Sequence, residues 1–345
     1  MLKGPMARCK HRHLQLNFTL LMFFLTISLI YSWLFVSYKQ YRNATSEYLN
    51  VSIKILFWHW PYGIHYNLTG DVCLNDYGIP RCVLLDNRTL FEDADLVVFH
   101  HAELSKQKVH LPVDHPRPAF QRWVWLSLEA PPNTANLKAY KNLFNLTMSY
   151  HPRADITVPY GKLIPKEKPI QDFVIPINKC HEACWVVSNY QKRHRRSAMF
   201  QELKKTLNVQ VYGHFARKPL SKEALLPTIS RCYFYLAFEN IESPHYITEK
   251  LWKNAFQSGT VPVVLGPPRK DYEAVAPPKS FIHVDDFNST KDLAMYLRSL
   301  IKDPEKYNVY FTWRQNYTVK LYTDWRERLC NICPLYGRFP AQKIY

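Results

Sequence analysis

The stretch CYFYLAFENIESPHYITEKLWKNAFQSGTVPVVLG, residues 232–266, decides how the chain reads. It divides into strand, loop, helix and strand. Residues 232–238 are apolar and aromatic, as a buried strand is. Glu239 and Asn240 fall where that strand ends. Ser243-Pro244 is a helix-start signal, a capping hydroxyl followed by proline at the first helical position. Ile247, Leu251 and Ala255 then share one helical face. Gly259 stops the helix, and residues 261–265 form a second strand ending at Gly266-Pro267. A βαβ unit places its ligand at the carboxyl ends of its strands. Glu239, Asn240, Tyr246, Glu249 and Lys250 collect there. A lysine beside a helix start suits a phosphate, because the dipole and the free N–H groups add to its charge. A carboxylate nearby suits sugar hydroxyls.

The chain has 345 residues, enough for one or two domains with full cores. Hydrophobic content of 47% and aromatic content of 15% exclude a disordered chain. None of its 9 glycines build a GxGxxG or a GxxxxGK[ST] loop, which weighs against a Walker ATPase and a glycine-fingerprint dehydrogenase. The net charge of +17 suits anionic small substrates, acidic glycans or a membrane surface. No zinc-finger spacing or RNP-like motif points to nucleic acid. The missing phosphate loop also argues against an adenylate-dependent sulfotransferase.

Leu14 to Val36 is almost unbroken apolar sequence. A helix of about 20 such residues spans a bilayer. Lys3, Arg8, Lys10 and Arg12 precede it, which predicts a cytoplasmic N-terminus. The run is long for a cleaved signal peptide and no small-x-small site follows. The expected order is tail 1–13, single transmembrane signal-anchor 14–36, stem 37–51 and a lumenal remainder. Sequons at Asn43, Asn50, Asn67, Asn87, Asn145, Asn288 and Asn316 agree with a secretory setting. Beyond the anchor lie Cys73, Cys82, Cys180, Cys184, Cys232, Cys330 and Cys333. Zinc competes for the C-x2-C and C-x3-C pairs, but an oxidising lumen favours disulfides. Spacing leaves the pairing open, with local Cys73–Cys82 and Cys330–Cys333 bridges among the choices.

Residues 53–58 read as a strand, and Trp58 to Gly63 as a loop whose rings stack on sugar or fill core. Residues 96–101 form a buried strand of parallel type. Asp93-Ala-Asp95 has the form of a metal-holding DxD, but it precedes a strand, so no metal site is expected. Residues 123–132, WVWLSLEAPP, deliver Glu129 to the end of a strand that two prolines stop. Sugar transfer needs such a carboxylate, because an acceptor hydroxyl is a poor nucleophile until a base takes its proton. Lys162 to Lys179, rich in proline and lysine, reads as an interdomain linker. Residues 185–189 form a strand ending in Ser188 and Asn189, and Arg196 follows within a basic run. Residues 281–287 read as a strand, and 291–301 and 307–313 as helices.

FEN, YITEKLWKNA and GTVPVVLGPPR closely resemble the donor-binding signature of the Golgi α-1,3-fucosyltransferases, glycosyltransferase family 10. WVWLSLEAPP resembles that family's WxxLESP, with Ala130 in place of serine. Residues 149–161 resemble its SYRRDSDI-VPYG, with His151-Pro152 and Ala154 as departures. The likeness covers roughly residues 53–335. It implies an inverting transferase of GT-B fold, two Rossmann-like α/β domains facing a cleft, at 52–165 and 180–328 around a linker at 166–179. Glu129 would be the general base. Tyr160, Ser188, Asn189, Arg196, Tyr235, Glu239, Asn240, Tyr246, Glu249 and Lys250 would bind GDP-fucose, with Arg196 and Lys250 neutralising the diphosphate and no metal required. It also implies bridges Cys73–Cys330, Cys82–Cys333 and Cys184–Cys232, with Cys180 left over and residues 329–345 tied back to the first domain. Its implied home is the Golgi membrane, as a single-pass type II protein. TDWRERLCNIC, YGIPRC and DLVVFHHAEL are most like members that fucosylate sialylated type 2 N-acetyllactosamine on glycoproteins and glycolipids, making sialyl Lewis x. Ile64-His65 replaces the Gly-Gln of relatives that prefer neutral acceptors. Transfer to neutral acceptors, or an inactive glycan-binding protein, are the alternatives.

Overall fold

The computed structural model describes Met22 and residues 26–39, 52–106, 110–134, 137–170, 178–340 and 344. The chain divides into two units, Met1–Ser52 and Ile53–Tyr345. In the first, residues 26–39 are helical. No helix among the described residues is long and apolar enough to cross a membrane. About half of the expected span lies outside them, as do the expected cytoplasmic tail, Asn43 and Asn50.

The second unit holds two parallel sheets. The first comprises β1 (Ile53–Phe57), β2 (Cys82–Leu85), β3 (Leu96–His100), β4 (Arg122–Ser127), β5 (Leu146–Ser149) and β6 (Ile156–Thr157), in the order β2-β1-β3-β4-β5-β6. β7 (Gly161–Pro165) leaves it. The second sheet comprises β8 (His181–Val186), β9 (Val209–Tyr212), β10 (Cys232–Phe238), β11 (Val261–Leu265) and β12 (Ile282–His283), in the order β12-β11-β10-β8-β9. β7 pairs antiparallel with β13 (Tyr317–Leu321), so the expected linker begins as ordered strand.

Both sheets are apolar on both faces, as parallel sheets require. Ile55, Phe57, Val98, Val124 and Leu126 pack on one face of the first sheet against Trp325, Leu329 and Ile332. Leu56, Val97, Phe99, Trp123 and Phe144 cover the other. In the second sheet Trp185, Phe234 and Val263 meet Leu293 and Leu297, while Tyr235, Ala237 and Val264 meet Leu251, Ala255 and Phe256.

The C-terminal segment returns to the first sheet through the helix Trp325–Cys330, before the expected residue 329. Cys73–Cys330 and Cys82–Cys333 fasten it there, and Cys184–Cys232 joins β8 to β10. Cys180 is free and exposed. The three cysteines that approach metal-ligand geometry, Cys73, Cys82 and Cys330, are all spent in these bridges. Asn67, Asn87, Asn288 and Asn316 are exposed, whereas the Asn145 amide oxygen accepts the Trp123 N–H at 2.8 Å.

Four expected elements differ. The strand expected at 185–189 is β8, which begins at His181 and ends at Val186, so Ser188 and Asn189 lie beyond it. The helix after β10 opens at Lys250, not Pro244, and runs to Gln257 as a π-helix. The strand expected at 281–287 is only β12, followed by a 3-10 turn Val284–Asp286. The helix expected at 307–313 is Pro304–Val309 with a separate turn Thr312–Gln315, because Asp303 caps the Lys306 N–H and Pro304 sets the first turn.

Gly161 shows how tightly β7 meets the π-helix. A Cβ there would lie 2.7 Å from Trp252 Cγ and 2.8 Å from Trp252 Cβ, atoms too near the backbone to swing aside. Gly161→Ala should therefore cost about 1–3 kcal/mol in denaturant unfolding. An unchanged midpoint would refute this packing.

Candidate active site

Strand order puts a switch point between β8 and β10, since the chain runs outward from β8 in one direction to β9 and in the other through β10 to β12. A crevice opens at the carboxyl ends of strands at such a point. Glu239 stands there and is 3% exposed. Its carboxylate accepts from Thr248 N at 2.8 Å, from Thr248 Oγ1 at 2.9 Å and from Lys250 Nζ at 2.9 Å. These bonds pull residues 240–248 into a loop, which is why the helix starts late. His245 takes a left-handed φ of 60° in that loop, its N–H donated to Asp271 at 2.8 Å. Burial pushes the Glu239 carboxyl up, opposed by Lys250. Burial works against the Lys250 charge, but Glu239 and Glu249 outweigh it and hold the ammonium above its ordinary range. Glu249 Oε1 lies 3.2 Å from Lys250 Nζ and is half-exposed. Gly266 makes room behind this cluster, since a Cβ there would lie 2.9 Å from Glu239 Cγ and 2.8 Å from Tyr272 Oη.

The same loop carries Tyr246 to the first sheet. Its hydroxyl donates to Glu129 Oε2 at 3.2 Å, and Asn133 Nδ2 donates to the same oxygen at 3.2 Å. Glu129 follows β4 by two residues and is partly exposed. Ala130, the departure from serine, is fully buried against Tyr150 and Tyr246. Burial, aided by Tyr160 and Glu239, raises the Tyr246 phenol, so it remains a donor to Glu129. Tyr160 donates its hydroxyl to Leu128 O at 2.8 Å. It braces the strand end beneath Glu129.

Arg196, Glu239 and Asn240 line a cleft of about 210 Å³ with His194, Arg195, Ile241, Glu242 and Leu265. Arg196 is 5% exposed and donates through Nη2 to Asn189 O. Its Nε, the Asn240 Oδ1 and the His194 Nδ1 are buried without a protein partner. Three unsatisfied polar atoms around one cleft mark a place that a polar ligand completes. Ser188 and Asn189 are exposed at the end of β8.

Tyr235 does not reach this cleft. It is fully buried in mid-strand, and Asn254 Nδ2 donates to its hydroxyl at 2.9 Å, because its side chain points to the face covered by the π-helix. The rings expected at the sugar surface also divide. Trp58 and Trp60 are core, while Tyr62 is 60% exposed. In the DxD-like segment, Asp95 Oδ2 accepts the Lys54 N–H at 2.7 Å, a strand-edge bond. Thr248, His194 and Asn133 escaped the sequence reading. Thr248 alone had a signal, its place inside YITEK.

Two family models match the chain, "Fucosyltransferase, N-terminal" over residues 50–161 and "Glycosyltransferase family 10 (fucosyltransferase) C-term" over residues 176–345. The chain is 47% identical to the bovine α-(1,3)-fucosyltransferase 7, over 84% of this chain and 83% of that one. It is 41% identical to the mouse 4-galactosyl-N-acetylglucosaminide 3-α-L-fucosyltransferase 9, over 86% and 80%. A crystal structure of an α1,3-fucosyltransferase with GDP-fucose superposes with a TM-score of 0.53 at 19% identity, covering 84% of this chain and 90% of that one. The chain therefore belongs to glycosyltransferase family 10, the fucosyltransferases.

Proposed function

We propose that this chain is an inverting α-1,3-fucosyltransferase. It moves fucose from GDP-fucose to O3 of the GlcNAc in type 2 N-acetyllactosamine, with sialylated acceptors preferred, on glycoproteins and glycolipids. The observation that carries the reading is the Tyr246–Glu129 hydrogen bond, which sets a carboxylate from the first sheet against the loop that lines the cleft of the second. The name of the mouse relative, a 4-galactosyl-N-acetylglucosaminide 3-α-L-fucosyltransferase, supports the acceptor and the hydroxyl. The structural relative with GDP-fucose supports the donor. The likeness of TDWRERLCNIC to enzymes of sialylated acceptors supports the finer specificity.

In this scheme the two sheets are the halves of a GT-B enzyme, joined by a linker at 166–179. Glu129 takes the proton of the acceptor hydroxyl. That oxygen attacks the anomeric carbon of fucose as the bond to the β-phosphate breaks, and GDP leaves with the electron pair. Attack on the face opposite GDP inverts the centre. Arg196 and Lys250 meet the charge that builds on the diphosphate. Asn240, Ser188 and Asn189 complete the nucleotide side, and Glu239 and Glu249 hold fucose hydroxyls. Tyr246 stays a neutral donor between base and fucose, and Tyr160 keeps the base's strand end in place. Two basic side chains take the role that a metal plays elsewhere. The N-terminal apolar run anchors the chain in the Golgi membrane as a type II protein with this site lumenal.

Full-length Glu129→Gln should lose about 10²- to 10⁴-fold in kcat while binding GDP as wild type does; retained turnover would exclude Glu129 as the base. Arg196→Gln should weaken GDP binding by about tenfold or more in calorimetry, and an unchanged affinity would move the diphosphate elsewhere. Fucosyl transfer should survive EDTA, whereas strict Mn²⁺ dependence would contradict the metal-free scheme.

A further inference from the structure

The first sheet has a switch point of its own. The chain runs from β1 outward to β2 on one side and through β3 to β6 on the other. The carboxyl ends of β1 and β3 are therefore where strand order favours a second crevice. The loop that follows β1 carries Tyr62, and β3 ends at His100, with Glu103 one helical turn on. Nothing in the transfer chemistry uses these residues.

A buried cation stands beside them. Arg328 is 5% exposed. Its Nε donates to Tyr322 O at 2.9 Å and its Nη2 reaches the same carbonyl, which is neutral. Its Nη1 is buried without a partner, and so is His100 Nδ1. Among the described residues no carboxylate lies within ion-pair distance of it. The adjacent Glu327 is engaged by Lys320 at 2.7 Å, and Glu103 accepts the Tyr62 N–H at 3.0 Å. A buried charge without a counter-charge is costly, and proteins retain one where an anion completes it.

The position relative to the base follows from Tyr160. The Arg328 guanidinium lies 5.9 Å from the centre of the Tyr160 ring, whose hydroxyl reaches the residue before Glu129. The free cation is thus one aromatic ring from the base. On its other side it stacks on Trp325 at 4.7 Å. Tyr62 stands over this crevice, edge-on to His100 at 5.6 Å, with a left-handed φ of 57° and its ring at the surface. Such a conformation is uncommon outside glycine and clusters at ligand sites.

We infer that Arg328 is a specificity residue of the acceptor site and binds the carboxylate of an acidic sugar attached to the N-acetyllactosamine. This rests on the acceptor reading above and names what distinguishes a sialylated acceptor from a neutral one. The site suits a single negative charge. Burial pushes the His100 imidazole down to about 4, so at neutral pH it offers a hydrogen bond and no charge; Arg328 supplies the buried positive charge, and Lys106 Nζ lies farther out, 5.8 Å over the Tyr62 ring. A guanidinium matches the planar fork of a carboxylate. Tyr62 must turn aside for the sugar to enter, and its ring is then placed to cover a sugar face.

The test uses the full-length chain in detergent with GDP-fucose, comparing sialylated and neutral N-acetyllactosamine. Arg328→Met should lose about tenfold or more in kcat/KM on the sialylated acceptor, mainly through KM, and change less than about threefold on the neutral one. Arg328→Lys should recover part of the loss. Equal losses on both acceptors would mean that Arg328 only holds the C-terminal segment to Tyr322, and would overturn the inference. So would a wild type with no preference for the sialylated acceptor. If wild type transfers to neither, calorimetric binding of the two acceptors with GDP present still decides. Tighter binding of the sialylated one that Arg328→Met removes supports the subsite while the transfer reading fails. Equal binding overturns the subsite.

Discussion

The buried carboxylate of Glu239 organises the rest. Taken alone, a carboxylate with 3% exposure is unfavourable. Thr248 and Lys250 satisfy it, and in doing so they dictate the path of the chain between them and β10. The loop cannot enter a helix at Pro244 and still return Thr248 to Glu239. The helix waits until Lys250, and its wide π-turns bury Leu251, Trp252, Asn254, Ala255 and Phe256 together. π-Turns are rare and concentrate at functional sites. Tyr246 is carried on the same loop. The bond that joins the two sheets at Glu129 is therefore a consequence of how one carboxylate in the second sheet is satisfied.

Much of this was legible in the sequence. β10 and β11 begin and end where their apolar runs do, because a buried parallel strand must be apolar on both faces. Glu129 stands at the end of β4 because two prolines stop the strand. The helix start was not legible. Ser243-Pro244 is a good local signal, but the tertiary bonds to Glu239 outweigh it. Tyr235 misled for a related reason, since residue type does not disclose which face of a strand a side chain takes. The switch points were hidden as well. They depend on strand order, which emerges only when segments far apart in the chain pair.

The departures from the family's pattern are absorbed by packing. Ala130 loses a hydroxyl but fills the space between Tyr150 and Tyr246. His151, standing for an arginine, packs edge-on against His245 at 4.9 Å, a contact from beyond β5's end to the loop 240–248. Charge is arranged unevenly between the two crevices. In the second sheet Lys250 is balanced by Glu239 and Glu249, so the cluster is satisfied before a ligand arrives. In the first sheet Arg328 has no such balance. On the proposed reading, a site for a phosphorylated donor and a site for an acidic acceptor would sit on either side of the Tyr160–Tyr246 pair, whose rings are 6.3 Å apart.

The most direct measurement is a crystal structure of the chain with GDP bound. The account predicts the diphosphate at the carboxyl ends of β8 and β10, with its oxygens on Arg196 Nε and Lys250 Nζ and with Asn240 engaged. Glu129 should stay bonded to Tyr246 and open toward the first sheet. A diphosphate bound away from that cleft, or a Glu129 carboxylate turned away from it, would contradict the account.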